Sequence, residues 1–250
     1  MAVRDFTSQR LFLAADLAAG AEIIATPEQA NYLRTVLRMP DGARVLVFNG
    51  RDGEWSATVD HDGKRGVRLS LDAQTRAQET GPDLWYLFAP LKRSRLDYMV
   101  QKAVELGASR LVPVLTQHTI AERVNTERMA ANAIEAAEQC GILRVPDIAP
   151  PEKLDRVLAA WSGAPPTPRH LIFCDESAIE CDPIAVLRKL QPGPVAVLIG
   201  PEGGFSETER TAILSKPFAV ALSLGPRIMR ADTAAVAALT LVNATLCDWR

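Results

Sequence analysis

The stretch Val195-Ala196-Val197-Leu198-Ile199-Gly200-Pro201-Glu202-Gly203-Gly204-Phe205-Ser206 decides how the rest of the chain is interpreted. Its first five residues are apolar and rich in β-branched side chains, which predicts a buried strand. Gly200-Pro201 and Gly203-Gly204 then predict a turn in which the main chain can approach a ligand closely. Ser206 and Glu209 have the spacing of a capping box, which predicts a helix start. A strand, a glycine-rich turn and a helix therefore follow one another here.

A similar turn follows the last predicted strand. Leu224-Gly225-Pro226-Arg227-Ile228-Met229-Arg230 precedes a helix that we expect to begin at Asp232, with Asp232 or Thr233 as its cap. Neither turn has the spacing G-x-G-x-x-G or G-x-x-x-x-G-K-[ST] of the common nucleotide-binding loops. Because open α/β sheets bind ligands at the carboxyl ends of their strands, the two turns together predict a ligand site.

Composition predicts a cytoplasmic globular protein. The 250 residues are 48% hydrophobic and 23% charged, and the formal net charge is −2, so any RNA contact depends on local basic patches. No stretch has the length of a membrane span, and the N-terminus lacks the pattern of a secretory signal. The cysteines and histidines are scattered, which predicts neither disulfides nor a metal site and favours a reducing compartment; they are Cys140, Cys174, Cys181, Cys247, His61, His118 and His170.

Residues 1–75 are predicted to form a small antiparallel β-barrel domain. Thr26, Pro27 and Gln29 predict a helix start, and strands are expected over residues 44–48, 54–59 and 66–71, with hairpin turns between them. Arg34 and Arg38 are four residues apart on the predicted helix, so they can act together on a phosphate. Ordinary solvated charges are the alternative interpretation of these arginines.

Residues 76–250 are predicted to form a parallel α/β sheet domain after a polar linker over residues 74–83. Strands are expected over residues 84–89, 110–115, 170–174, 195–199 and 219–224. Helices are expected from a cap at Ser94, over residues 126–140, 152–161 and 182–190, after Ser206, and from Asp232 onward.

Several blocks of the chain resemble one known family. They include Asn31-Tyr32-Leu33-Arg34-Thr35-Val36-Leu37-Arg38, Val47-Phe48-Asn49-Gly50, Lys92 with Gln101-Lys102 and Glu105-Leu106-Gly107, Glu138-Gln139-Cys140-Gly141 with Val145-Pro146, and above all the two Gly-Pro turns. Over nearly its whole length the chain resembles the 16S rRNA (uracil(1498)-N(3))-methyltransferases, a branch of the SPOUT methyltransferase class. Two positions depart from the family pattern, which usually has Glu where this chain has Asp232 and Arg where it has Ile142.

The resemblance implies a fold and a reaction. The fold is a PUA-like RNA-binding domain followed by a SPOUT α/β domain tied in a deep trefoil knot, and the assembly is a homodimer whose site uses both subunits. The reaction transfers a methyl group from S-adenosylmethionine to N3 of a uridine in 16S rRNA within the small ribosomal subunit. Two other functions stay open: a SPOUT methyltransferase for another RNA position, and a non-catalytic RNA-binding or ribosome-assembly factor.

Residue roles follow from the resemblance together with the chemistry. Arg230 or Arg227 can stabilise negative charge on the uracil ring, and Glu202 or Asp232 can take the N3 proton. For Arg227 an ion pair that braces the loop is the alternative, and for Asp232 a helix cap. The expected cofactor-binding residues are Leu198, Ile199, Gly200, Pro201, Gly203, Gly204, Leu224, Gly225, Ile228 and Met229. The expected RNA-binding residues are Arg34, Arg38, Lys92, Arg93, Arg95 and Arg227.

Overall fold

A computed structural model describes residues 5, 7–120, 123–161 and 168–249, apart from the side chain of Arg93. Contacts between residues divide the chain into two units. The first comprises residues up to 80 together with residues 137–145, and the second comprises residues 81–136 and 146–250. No helix in the described ranges is long and apolar enough to cross a membrane.

The first unit contains a five-stranded sheet with the order β1-β3-β4-β5-β2. Its strands are β1 (Arg10–Phe12), β2 (Glu22–Ile24), β3 (Ala43–Phe48), β4 (Glu54–Asp62) and β5 (Gly66–Arg76). The β3–β4 and β4–β5 pairs are antiparallel, as predicted. The β2–β5 pair is also antiparallel, but β1 pairs with β3 in parallel. The sequence did not predict β1 and β2, because three residues are too few to show an alternating pattern. Strand β5 also continues to Arg76, through the start of the predicted linker.

The helix of the first unit changes its winding halfway. Helix α1 (Pro27–Asn31) begins with the predicted capping box of Thr26 and Gln29. It continues as a π-helical segment, Tyr32–Val36, in which the Leu37 amide donates to the Tyr32 carbonyl. Arg38 lies beyond this segment with a φ of 52°. The prediction that Arg34 and Arg38 share a helical face is therefore wrong, since the regular spacing of an α-helix does not extend to Arg38.

The second unit is built on a parallel sheet, which confirms the predicted α/β class. Its strands are β6 (Leu84–Phe88), β7 (Arg110–Leu115), β8 (Asp147–Ile148), β9 (Glu152–Lys153), β10 (His170–Cys174), β11 (Val195–Ile199) and β12 (Ala219–Leu222). The order is β12-β10-β11-β6-β7-β8, β9 pairs with the end of β7, and every pair is parallel. The trefoil knot that the resemblance implies stays a prediction.

The helices after the first unit's sheet are α2 (Arg93–Glu105), α3 (Thr126–Cys140), α4 (Leu154–Ala159), α5 (Pro183–Arg188), α6 (Glu207–Leu214) and α7 (Ala231–Leu246). Ser206 and Glu209 form the predicted capping box at α6. Two predicted caps are wrong: Lys92 rather than Ser94 precedes α2, and Arg230 rather than Asp232 or Thr233 precedes α7. In both cases the helix begins earlier than its first polar capping residue, without a side-chain cap.

One face of the parallel sheet packs against α4 and α6. Its core contains alternate strand residues such as Leu87 of β6 and Leu198 of β11, together with Leu158 of α4 and Ile213 of α6. Because successive strand side chains point to opposite faces, Tyr86 and Phe88 lie on the other face, where their rings stack 4.9 Å apart. Helix α7 packs against β11, α2 and α5. Helices therefore cover both faces of the sheet. A ligand can bind at the two edges where the strands begin and where they end.

Candidate functional site

A cavity of about 320 Å³ lies at the carboxyl edge of the parallel sheet. Three strands end in its wall, with Cys174 of β10, Ile199 of β11 and Leu222 of β12. The two Gly-Pro turns complete the wall through Gly200, Pro201, Glu202, Gly204, Phe205, Leu224, Gly225, Arg227, Ile228, Met229 and Arg230. The volume is that of a small-molecule site, so the tertiary structure brings the two turns to one ligand-sized cavity.

The cavity contains eight of the ten residues expected to bind the cofactor: Ile199, Gly200, Pro201, Gly204, Leu224, Gly225, Ile228 and Met229. Leu198 is fully buried in the core on the α4 and α6 face, because it is one residue before Ile199 and points to the opposite side of the strand. Gly203 packs instead against His118, whose Cβ is 3.3 Å from the position that a Cβ at Gly203 would take.

The glycines of the first turn are needed for packing within the protein. A Cβ at Gly200 would lie 2.5 Å from the ring of Phe205, so the absence of a side chain lets that ring fold back over the strand end. Gly204 has a φ of 68° and Gly225 a φ of 102°, which other residues adopt only with strain. At Gly200 the space that a side chain would take is filled by Phe205, while the close approach of a ligand to the Gly200 main chain stays a prediction.

The segment after β10 is a third wall of the cavity that sequence reasoning missed. It contributes Asp175 and Glu176 beside Cys174. Asp175 is buried and accepts hydrogen bonds from Arg210 of α6, with 2.9 Å between Nη2 and Oδ2. The hydrogen bonds and charge of Asp175 raise the pKa of Arg210 above its ordinary value. The signal was present, because β10 was predicted and its carboxyl end had to lie at the same edge as the others.

The loop after β7 braces the first Gly-Pro turn. His118 Nδ1 lies 3.1 Å from the carbonyl oxygens of both Gly203 and Gly204. The Gln117 amide donates to Glu209 Oε1 at 2.7 Å. These contacts join segments about ninety residues apart, so no local pattern indicates them.

The charged residues of the cavity differ in their partners. Glu202 forms an ion pair with Arg95 of α2, so a predicted proton acceptor and a predicted RNA contact are paired with each other. Arg227 and Arg230 are exposed in the cavity wall. Asp232 is not among the lining residues, and its carboxylate accepts a hydrogen bond from the Thr233 amide at 2.8 Å.

The other expected RNA-binding residues lie outside this cavity. Lys92 is exposed at the start of α2, and the Arg93 side chain lies outside the described part of the structure. Arg34 belongs to the first unit, where its Nη1 donates to the carbonyls of Gly63 and Gly66 at 3.1 and 2.9 Å. Arg38 is exposed in the same unit. Among the described residues, no group of three or more His, Cys, Asp or Glu side chains could hold a metal ion.

The match to family models identifies the class of this protein as an RNA methyltransferase. Residues 78–243 match the model of the RNA methyltransferase domain, and residues 25–72 match that of the RNA methyltransferase PUA domain. The chain therefore belongs to the RNA methyltransferase domain family, which confirms the predicted family and fold class.

Individual relatives and solved structures show which methyltransferases the chain is similar to. Ribosomal RNA small subunit methyltransferase E of Rickettsia conorii is 28% identical over 94% of each chain. Its counterpart in Synechocystis is 29% identical over 95% of this chain and 78% of its own. A putative methyltransferase of Legionella pneumophila, solved with bound S-adenosylmethionine, has a TM-score of 0.84 at 26% identity and covers 96% of this chain and 99% of its own. The Neisseria gonorrhoeae ribosomal RNA small subunit methyltransferase E, with a TM-score of 0.84 at 22% identity over 97% and 100% of the chains, shares the fold.

Proposed function

We propose that this protein transfers a methyl group from S-adenosylmethionine to N3 of uridine 1498, in the standard numbering, of 16S rRNA in the small ribosomal subunit. The observation that carries the proposal is the single cavity that joins both Gly-Pro turns and has Arg230 and Glu202 in its wall. The relatives named as small subunit methyltransferases support the substrate. We place the reaction in the cytoplasm, because the small ribosomal subunit that contains the substrate is found there.

The cavity fits S-adenosylmethionine, which supplies an electrophilic methyl group when it is bound. Ile199, Leu222, Leu224 and Met229 provide apolar wall for a flat adenine ring. Glu176 is exposed in the same wall and suits a ligand that carries a positive sulfonium and an ammonium group. The S-adenosylmethionine bound to the Legionella protein supports the same assignment.

Arg230 stabilises the acceptor base in this proposal. Uracil N3 becomes nucleophilic as its proton leaves, and negative charge then spreads to the ring oxygens. A guanidinium in the cavity wall favours that charge, because a positive charge close to the ring oxygens lowers the energy of the anion. Arg230 directly precedes α7, so its main chain is held by the helix start.

We assign the proton acceptor to Glu202 rather than Asp232. Of these two carboxylates only Glu202 lines the cavity. Its partner Arg95 comes from α2 and holds the carboxylate in one place, which general-base catalysis requires. Asp232 lies in the first turn of α7, where its negative charge interacts favourably with the positive end of the helix dipole.

RNA capture is assigned to residues 1–75 and methyl transfer to residues 76–250. The target uridine must leave its base pair, since N3 is the atom that pairs. Arg38, Lys92 and Arg93 are the proposed phosphate contacts outside the cavity, and Arg227 the one inside it.

We also propose a homodimer. Ile228 in the cavity wall is 93% exposed, and Ile179 in the segment after β10 is 99% exposed. Large apolar side chains beside a binding site favour a protein partner over water. Light scattering should give twice the chain mass, and Ile179→Asp, which lies outside the cavity, should shift it toward that of one chain. A monomeric wild-type protein would rule this out.

The function is tested by mass spectrometry of 16S rRNA from cells that lack this protein. One methyluridine at position 1498 should be missing, and purified protein with S-adenosylmethionine should restore it on isolated small subunits. A missing methyl group at another nucleotide would change the substrate assignment. Complete methylation in the deletion strain, with no heat of S-adenosylmethionine binding, would favour a non-catalytic factor.

A further inference from the structure

A second cavity, of about 410 Å³, lies at the amino edge of the parallel sheet. Trp85 and Arg110 line it from the starts of β6 and β7, and Arg169 directly precedes β10. Because all the strands are parallel, this edge is opposite the one that holds the candidate active site. Strands of five residues separate the two edges by roughly 16 Å. The second cavity is therefore a different site on the same domain.

Two indole rings and an apolar floor shape this cavity. Trp85 pairs in register with Arg110, and Leu87 with Val112, so these four side chains lie on one face of the sheet. Trp161, which follows α4, meets Trp85 edge to face with 6.2 Å between the ring centroids. Both indoles line the cavity. Arg169 lies over the Trp85 ring at 3.7 Å, and one face of Trp161 stacks on Phe218, so the other face of Trp161 is the aromatic surface for a planar ring.

Three arginines line the same cavity, and they differ in how well they are satisfied. Arg169 is fully engaged, with Nη2 at 2.7 Å from Asp83 Oδ2 and Nη1 bonded to the carbonyls of Asp83 and Val195. Arg156 is exposed and lies 3.5 Å from Glu152. Arg110 lies over Trp85 at 4.7 Å from the ring centroid.

Arg110 is the member of this set that points to a ligand. Its Nε is buried and has no hydrogen-bond partner, and within the described residues its guanidinium forms no ion pair. Buried donors are almost always satisfied in folded proteins, and a charged donor is the most costly to leave alone. Arg110 lines the cavity, where an anionic oxygen would neutralise the charge of its guanidinium.

The chemistry of the lining selects one class of occupant. An inorganic anion would satisfy Arg110 but make no use of the indoles, and an apolar ligand would leave Arg110 unsatisfied. A nucleotide carries both a phosphate and a flat base, and single-stranded RNA is bound by the same combination of arginine and aromatic side chains. We propose that this cavity binds one nucleotide of a single-stranded part of the RNA substrate, with Arg110 donating to its phosphate and Trp161 contacting its base. The presence of RNA rests on the proposed function.

Fluorescence anisotropy with a labelled single-stranded RNA oligonucleotide and the full-length protein tests this site. Arg110→Gln and Trp161→Leu should each weaken RNA binding about tenfold, and Arg110→Gln should reduce the salt slope by about one. Arg188→Gln, an exposed arginine on α5 outside the cavity, is the matched control and should bind within twofold of wild type. Heats of S-adenosylmethionine binding should be equal in all these proteins. If Trp161→Leu melts early, Arg156→Gln replaces it, with a smaller expected loss.

Competition of uridine 5′-monophosphate with the labelled RNA distinguishes a site for RNA from a site for a free nucleotide. If both cavity variants bind RNA as wild type does, the site is overturned. If only the mononucleotide depends on Arg110, the cavity takes a free nucleotide and the RNA assignment is overturned. Methylation that persists in either case leaves the proposed function intact, whereas wild-type protein that neither binds nor methylates RNA would remove the proposed function itself.

Discussion

Glu202 of the first Gly-Pro turn and Arg95 of α2 form an ion pair at the cavity that holds both turns. Their side chains are 46% and 36% exposed. An exposed pair contributes little to stability, so its position matters more than its strength. The pair holds the Glu202 carboxylate beside the cavity.

Glu202→Gln should therefore reduce methylation by about 10² to 10⁴ at saturating donor, because an amide cannot accept the N3 proton. Arg95→Ala should cause a smaller loss, since the carboxylate remains but is no longer held. Single-turnover rates on small subunits measure both effects. Activity of Glu202→Gln within threefold of wild type would remove the role and direct attention to Asp232.

Arg230→Ala should reduce the methylation rate by about 10² to 10³, the usual loss when one charge-stabilising donor is removed. Donor binding should persist, because the apolar wall and both glycine turns remain. Arg227→Ala is the matched control from the same turn and should act mainly on the KM for RNA. Equal, small effects of both substitutions on the rate would contradict the charge-stabilising role.

His118→Ala should weaken S-adenosylmethionine binding about fivefold, the equivalent of about 1 kcal/mol. The physical reason is the loss of the imidazole contact to the carbonyls of Gly203 and Gly204. The KM for the donor should rise while the rate at saturation stays near wild type. His118→Asn, which retains a short donor, should recover part of the affinity; a fall in rate alone would argue for a different role.

Arg34 and Arg38 should have different roles, the first in stability and the second in RNA binding. Arg34→Ala removes hydrogen bonds to the carbonyls of Gly63 and Gly66 and should lower the free energy of unfolding by about 1 to 2 kcal/mol. Arg38 is exposed, so Arg38→Ala should leave the melting temperature unchanged, weaken RNA binding and reduce its salt slope by about one. If Arg38→Ala binds RNA as wild type does at every salt concentration, its charge is merely solvated.

Cys174 should resist alkylation in the folded protein. It lines the cavity, yet burial raises the pKa of its thiol to about 12. Because the thiolate is the reactive form, iodoacetamide at pH 8 should modify the exposed Cys140 and Cys181 well before Cys174. The protection should be lost on unfolding in guanidinium, where the pKa returns to its ordinary value. Peptide mapping that finds Cys174 modified as fast as Cys181 at pH 8 would contradict this.

The strands and helices of the second unit could largely be predicted from local patterns. The predicted bounds of β7, β10, β11 and α3 agree with the structure, because each is an uninterrupted run with one periodicity between clear breaks. The wrong predictions concern two helix starts and the winding of one helix. Lys92 and Arg230 precede their helices without a capping side chain, and a π-helical segment replaces regular winding before Arg38. Neither feature has a pattern in the residues themselves.

The sequence by itself determined the parallel α/β class, the two Gly-Pro turns and their place after strands, since hydrophobic periodicity and glycine act over a few residues. Only the tertiary structure decided which side chains those turns contact. The packing of Phe205 on Gly200, the pairing of Arg95 with Glu202 and the unsatisfied Arg110 at the opposite edge each depend on which side chains the sheet brings together. Contacts between residues far apart in the chain follow from strand order and register, and no local pattern carries that information.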